Sequence, residues 1–217
     1  MLRKAYLFQL VALAAVLVSA GPSSAQTIIE EWSNVKPPPA PALKAVTLDP
    51  KTTALLVMDL VKQTCNNERR PRCVASIPRI EKLIAEARAK DVLVVYTTVP
   101  AAPITDTLPA VAPKGNEPVI TAAVDKFILG NQDTGLEKIL KDKGITTVIP
   151  VGTAANGAVL YTASAAALRG FNVVLPVDGM SGDGQNTFIE QYVAYNMTSA
   201  PVITPKITLT RIDMIKF

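Results

Sequence analysis

The 217-residue sequence contains no histidine and only two cysteines. Without an imidazole, no Ser-His-Asp or Cys-His relay can be assembled. Metal and haem sites that use histidine as a ligand are excluded as well. Charge of one sign is not in large excess: the formal net charge is +4, too little for an electrostatic argument about nucleic acid or a membrane surface. No internal repeat is visible, so repeat architectures are set aside. The apolar run from Ala5 to Val18 falls short of the roughly 20 residues that a membrane span needs.

That run is instead framed as an export signal. M-L-R-K precedes it and S-A-G-P-S-S-A-Q follows, which gives a basic start, an apolar middle and small residues at Ser23 and Ala25. We expect cleavage after Ala25, a periplasmic or secreted protein, and no membrane contact once residues 1–25 are gone. A retained anchor is the weaker alternative. Losing Arg3 and Lys4 lowers the net charge by two, from +4 to +2. Residues 26–51 read as an N-terminal arm with a Pro-rich linker around Lys36 to Pro41. Trp32 either anchors that arm or belongs to a partly ordered tail. Residues 52–217 suit one domain with a full core.

The two cysteines stand in C-N-N-E-R-R-P-R-C, Cys65 to Cys73. In an exported chain they are expected to pair. The other reading is a reactive Cys65 with neighbouring arginines to lower its pKa. Arg69, Arg70 and Arg72 either solvate the loop or capture an anionic substrate. For the second role we single out Arg72.

The pivotal stretch is V-I-P-V-G-T-A-A-N-G-A-V-L-Y-T-A-S-A-A-A-L-R-G, Val148 to Gly170. Val148 to Val151 reads as a strand covered on both faces, ended by Gly152. A helix follows from Asn156, with Gly170 as its left-handed C-cap. Ligands of open parallel sheets sit at such strand–helix junctions, facing the free N–H groups of the first helical turn. Thr153 to Ala158 is therefore the candidate site, although it holds no thiol, imidazole or carboxylate.

Elsewhere, Ala54 to Met58 reads as a central strand with Asp59 at its end. A buried carboxylate there is costly unless paired or used; capping the next turn is the plainer role. Ser76 is expected to cap a helix that buries Ile77, Ile80, Leu83, Ile84 and Ala87. Val92 to Val99 is a second strand, Pro100 to Pro118 a long loop, and Val119–Ile120 a short strand. Lys126 lies among apolar neighbours, which suggests a partly buried amine. Thr134 and Glu137 match a capping box for a helix ended by Gly144. Asn172 to Val177 is a strand with Asp178 at its end, and Ser181 or Asp183 caps the last helix. Val202–Ile203 is expected as the last inner strand, and the tail as an edge or partner contact. The alternation argues a parallel sheet sandwiched by helices.

M-D-L at Asp59, V-D-K-F at Lys126 and G-T-A-A-N-G-A-V at Gly152, in that order and spacing, resemble the isochorismatase-like hydrolases, also called cysteine hydrolases. The resemblance spans about Thr52 to Val202. It implies an α/β fold, a three-layer α/β/α sandwich with a six-stranded parallel, Rossmann-like sheet, in a homo-oligomer. It also implies a site made by Asp59, Lys126 and position 158, where the amidase members carry their nucleophilic Cys in a G-x-x-T-x-x-C pattern. This chain has Ala158 there, and Asn156 where the isochorismatase branch has His in its G-V-Y-A-H pattern. The Asp-and-two-His metal site of the nicotinamidases has no counterpart, and no cofactor is required. By the same resemblance, a non-proline cis bond joins Thr153 to Ala154, and the N–H groups of Ala154 and Ala158 form an oxyanion hole. Asn156 and Arg72 then meet a small, anionic, carboxylate-bearing substrate. Asp59 would act as general acid on an enol ether, oriented by Lys126. The competing expectation is a binding or scaffolding protein on a retired hydrolase fold.

Overall fold

The computed structural model describes residues 27–184 and 187–217. The expected signal segment, residues 1–25, lies outside the described residues. Two units are distinguished, residues 1–37 and 38–217. In the first, Thr27 caps the one-turn helix α1 (Ile28–Glu31), and Glu30 reaches back to the Thr27 N–H to complete a capping box.

The second unit begins at Pro38, earlier than the boundary expected at residue 52, because the chain already pairs there. The Lys44 N–H donates to the Leu209 carbonyl at 2.9 Å, and β1 (Val46–Thr47) runs parallel to the C-terminal β11 (Ile215–Lys216). The tail thus packs on its own chain.

Apolar, largely β-branched runs form the central strands: β2 (Thr53–Met58), β3 (Leu93–Thr98), the short β4 (Val119–Thr121), β7 (Thr147–Thr153) and β8 (Asn172–Pro176). Every residue of β2 is buried, as a strand covered on both faces requires. With β10 (Ile207–Thr210) at one edge, the order is β10-β8-β7-β2-β3-β4, and all neighbours are parallel. Six parallel strands with helices on both faces bear out the expected three-layer sandwich. Pro150 offers no N–H, and the β8 ladder on β7 stops at Val148. The two-residue β9 (Met180–Ser181) takes its place opposite Gly152 and Thr153. A hairpin of β5 (Ile128–Leu129) and β6 (Gln132–Asp133) projects to one side.

One face of the sheet packs on α2 (Pro71–Ala89) through Ile77, Ile80, Leu83, Ile84 and Ala87. The other packs on α4 (Leu160–Leu168) and α5 (Phe188–Ser199), and Leu136 and Leu140 of the seven-residue α3 (Leu136–Asp142) are buried in the same core. Among the described residues, no helix is long and apolar enough to cross a membrane.

Several expected boundaries move, each for a local reason. Helix α2 starts at Pro71, whose fixed φ and missing N–H suit the first helical position. Ser76 therefore lies inside the helix and donates to the Cys73 carbonyl at 2.7 Å instead of capping. Gly135, at φ 84°, is the N-cap of α3. Glu137 turns away from a capping box to pair with Lys141 and Arg169. Strand β7 does not end at Gly152 but continues through it to Thr153. Ser181 is strand and Asp183 an ion-pair partner, so neither caps α5; Thr187 is its N-cap. Val202, at φ 72° and exposed, is no strand residue. The outer strand forms later, at Ile207.

Candidate active site

Strands β2 and β7 pair as Met58 with Gly152, so Asp59 and Thr153 leave the same carboxyl edge on neighbouring strands. They lie at the point where strand order reverses, with β3 and β4 on one side and β8 and β10 on the other. The approach of the two strands depends on Gly152. A Cβ there would sit 2.0 Å from the Met58 carbonyl oxygen, and its φ of 128° suits only glycine.

Asp59 turns the chain off β2 in a left-handed conformation, φ 53°. Its own main chain holds it there. The Asp59 N–H donates to the Thr97 carbonyl at 3.2 Å, and Thr64 Oγ1 donates to the Asp59 carbonyl. The carboxylate is 2% exposed. Its Oδ1 accepts from Thr97 Oγ1 at 2.7 Å, and Oδ2 meets Lys126 Nζ at 2.8 Å. Lys126 is fully buried, and its ammonium also donates to the carbonyls of Ala122 and Ala123, each at 2.8 Å. Three donors thus find three acceptors. Burial pushes the Asp59 carboxyl above the usual carboxylate range, against the opposing pull of Lys126, Thr97 and Arg70. Burial also lowers the Lys126 ammonium, which Asp59 in turn raises.

The loop carrying Lys126 is fastened to α4. Thr162 Oγ1 accepts from the Lys126 N–H at 3.1 Å and donates to the Val124 carbonyl at 3.2 Å. Thr162 lies one turn after Ala158, on the same side of the helix. The chain between β7 and α4 is a wide π-type turn, Ala155–Val159, with Gly157 at φ −117°, ψ −110°. A Cβ on Gly157 would come within 3.5 Å of Ala154 Cβ and 3.8 Å of Val124 Cγ1. The Lys126 loop therefore lies over this turn. The bond joining Thr153 to Ala154 is cis. Ala158 is buried, Ala154 half-buried and Asn156 exposed.

Cys65 and Cys73 are joined in a disulfide, which leaves no free cysteine among the described residues. The Cys65-thiol reading is thereby withdrawn. Arg72, singled out for substrate, is engaged elsewhere. Its guanidinium makes a bidentate pair with Glu190, at 2.9 and 3.0 Å, and donates to the Gly184 carbonyl. A fork committed to an opposing carboxylate holds α2 to α5 and is not free for a ligand.

Three residues of this edge were not singled out from the sequence. Thr97 stands in Y-T-T and Thr162 in Y-T-A-S, where neighbouring hydroxyls leave no local signal to set either apart. Arg70 stands directly before Pro71. That position keeps it out of the helical region, at φ −138°, ψ 70°, and at the head of α2.

Residues 53–204 match the family described as the Isochorismatase domain. No curated protein matches the sequence. Among solved structures, a cysteine hydrolase from Pseudomonas syringae pv. phaseolicola is similar, with 18% identity and a TM-score of 0.66 over 80% of this chain and 94% of that one. An isochorismatase from Pseudomonas putida superposes with a TM-score of 0.65 and 17% identity, covering 88% of this chain and 98% of its own. An N-carbamoylsarcosine amidase from Thermoplasma acidophilum shares 22% identity, with a TM-score of 0.60 over 75% and 97% of the two chains. At such identities these likenesses establish the fold.

Proposed function

The chain belongs to the Isochorismatase domain family, and from that premise we propose an exported hydrolase that acts on a small carboxylated metabolite without a cysteine nucleophile. The observation that carries the reading is the enclosed pair, Asp59 Oδ2 to Lys126 Nζ at 2.8 Å, at the reversal point of the sheet. Ala158 occupies the position of the missing thiol. A side chain without a heteroatom cannot form a covalent acyl intermediate, so the work falls to acid catalysis and to main-chain donors.

Asp59, with its carboxyl raised by burial, serves as the general acid. In an enol ether its proton goes to the terminal vinyl carbon as an oxocarbenium ion forms. Water adds to that ion, the resulting hemiketal releases the alcohol, and the proton from water returns to the Asp59 carboxylate. Lys126 stays an ammonium throughout and stabilises the carboxylate left after protonation. The N–H groups of Ala154 and Ala158 face the developing negative charge on oxygen as the hemiketal collapses. Asn156, exposed on the first turn, meets the substrate. Export is supported by the leader composition and by the Cys65–Cys73 disulfide. Self-association is supported by the exposed Tyr161 and Leu168 of α4 and Tyr192 and Tyr195 of α5.

One observation favours a second reading. Every proton of the Lys126 ammonium has a protein acceptor, and Asp59 is almost closed to solvent. A pair so enclosed also suits a structural role, in a binding protein built on this fold. Turnover separates the two. Purified protein is screened against enol ethers, amides and esters beside Asp59→Asn. The hydrolase reading expects turnover that falls at least about a hundredfold in the variant and declines as pH rises through the Asp59 pKa. Turnover untouched by the variant refutes it.

A further inference from the structure

The turn that follows Asp59 is the part of this edge that the chemistry above leaves unused. Asp59 carries a Cβ and sits at φ 53°, a conformation that persists only while the surroundings hold it. Thr64 supplies a hold. Its Oγ1 donates to the Asp59 carbonyl, with the Val61 carbonyl 3.1 Å from the same oxygen. The turn closes on Val61, whose carbonyl accepts from the Thr64 N–H at 3.0 Å and from the Cys65 N–H at 2.9 Å. Its middle is tied to the long loop after β3. The Leu108 N–H donates to the Leu60 carbonyl at 2.9 Å, and the Lys62 N–H to the Asp106 carbonyl at 3.0 Å. The far end, at Thr64, needs its own anchor.

That end is fastened to the head of α2 twice. The Thr64 carbonyl accepts from Arg70 Nη1 at 2.7 Å. The next residue, Cys65, is bonded to Cys73 in the first turn of α2. The two fastenings brace each other, since the Cys73 N–H donates to the Arg70 carbonyl at 2.9 Å and the Arg70 N–H to the Asn66 carbonyl at 2.8 Å. Cys65, Cys73 and Arg70 are all buried, so water competes little for these contacts. The path from the bridge to the carboxyl runs through Cys65, Thr64 and Asp59, with no element between. The partners on the other side of the carboxyl do not lie on that path. Thr97 comes from β3, and Lys126 from its own loop on α4. A loosened turn therefore lets Asp59 leave its partners instead of carrying them with it.

We propose that Thr64 is a positioning residue for Asp59, and that the Cys65–Cys73 bridge, acting through Thr64, keeps the carboxyl in its enclosed pose. The disulfide then does more than stabilise the fold. Without it the sheet and helices persist, but the carboxyl is no longer held out of water, and the site is complete only in protein whose two thiols have paired. That the held carboxyl performs chemistry rests on the hydrolase reading; the holding itself does not.

The Asp59 carboxyl tests this without a substrate. Its carbon-13 signal, assigned by its loss in Asp59→Asn, is followed by NMR over a pH series. Wild type with the bridge intact is compared with Cys65→Ala/Cys73→Ala and with Thr64→Val. Burial raises this carboxyl against Lys126, Thr97 and Arg70. Leaving the enclosure relaxes all of these, and burial is the largest, so the pKa should fall toward the ordinary carboxylate range in both variants. Thr64→Ser, which keeps the hydroxyl, should restore the wild-type value. The Asp59 amide, which donates to the Thr97 carbonyl, should exchange at least about tenfold faster relative to Leu56 in β2. A general loss of stability would speed both amides alike. If one variant does not fold, the other decides. An Asp59 pKa and relative exchange unchanged in either folded variant overturns the proposal. So does faster exchange shared equally by Leu56. With a substrate in hand, Thr64→Val should lower kcat about tenfold and leave KM nearly unchanged. A bridge-dependent Asp59 titration without any Asp59-dependent turnover would keep the positioning and refute the hydrolase. Asp59-dependent turnover that is equal with and without the bridge and Thr64 would do the reverse.

Discussion

Replacing Lys126 by Met keeps the length of the stem and removes the charge. Four contacts of Nζ are lost, to Asp59 Oδ2, to the carbonyls of Ala122 and Ala123, and at 3.5 Å to the carbonyl of Thr98. The decisive loss is the first, because it leaves a carboxylate 2% exposed without its counter-ion. Breaking a buried pair from one side costs about 3–5 kcal/mol, most of it the uncompensated charge. The cost depends on pH. With Lys126 gone, burial still raises the Asp59 carboxyl and only Thr97 and Arg70 oppose it, so its pKa climbs further. A carboxyl raised on folding contributes stability that is complete below its unfolded pKa and is lost as pH rises through the folded one. Lys126→Met should therefore stand nearest the wild type at acid pH and fall behind by about 1.4 kcal/mol per pH unit once pH passes the wild-type Asp59 pKa, until Asp59 ionises in the variant as well. Adding Asp59→Asn removes the stranded charge, so the double variant should be more stable than the summed single effects by about 2 kcal/mol. Urea unfolding followed by far-ultraviolet circular dichroism at pH 4.5 and pH 8, with the disulfide intact, measures all four proteins. A single variant that loses under about 1 kcal/mol at both pH values, with no coupling to Asp59→Asn, would refute the reasoning.

Gly152→Ala places a Cβ 2.0 Å from the Met58 carbonyl and should prevent accumulation of folded protein. Gly170→Ala, with open space at φ 92°, should cost only about 1–2 kcal/mol; soluble yield and thermal midpoints separate them. The Cys65–Cys73 bridge spans eight positions, and the Cys65→Ser/Cys73→Ser protein should lose about 2–3 kcal/mol on the chain-entropy account. Unchanged unfolding in urea would contradict it. Thr162→Val removes the fastening between the Lys126 loop and α4. It should cost about 1–3 kcal/mol and speed hydrogen exchange at the Lys126 amide before any change in β2.

The sheet was legible because its strands declare themselves by composition alone. T-A-L-L-V-M and L-V-V-Y-T-T need little beyond burial to become β2 and β3. Boundaries were misread where a local signal competed with a longer-range bond. Ser76 and Thr134 look like caps, yet Pro71 had already started α2 and Gly135 supplied the left-handed entry to α3. Gly152 looks like a stop, but its φ allows the strand to pass Met58 closely and reach β9. Val202–Ile203 has the composition of a strand. The pairing with β8 goes instead to Ile207–Thr210, which lies in register along it.

The site divides along the same line. Asp59, Lys126 and the 153–158 turn were legible because a carboxylate after a buried strand, an amine among apolar neighbours and a strand–helix junction are each unusual locally. The choice among Arg69, Arg70 and Arg72 was not legible, because three adjacent guanidiniums differ only in what the fold places opposite them. Glu190 is 118 residues from Arg72 in sequence and Asp183 is 114 from Arg69, so no local pattern records either pairing. What separates Arg70 is Pro71. A residue held before proline cannot enter the helix, and its side chain stays at the carboxyl edge of the sheet while Arg72 is carried round to α5. The dipeptide R-P is thus the sequence trace of a buried guanidinium at the head of α2, readable only once α2 is known to begin there.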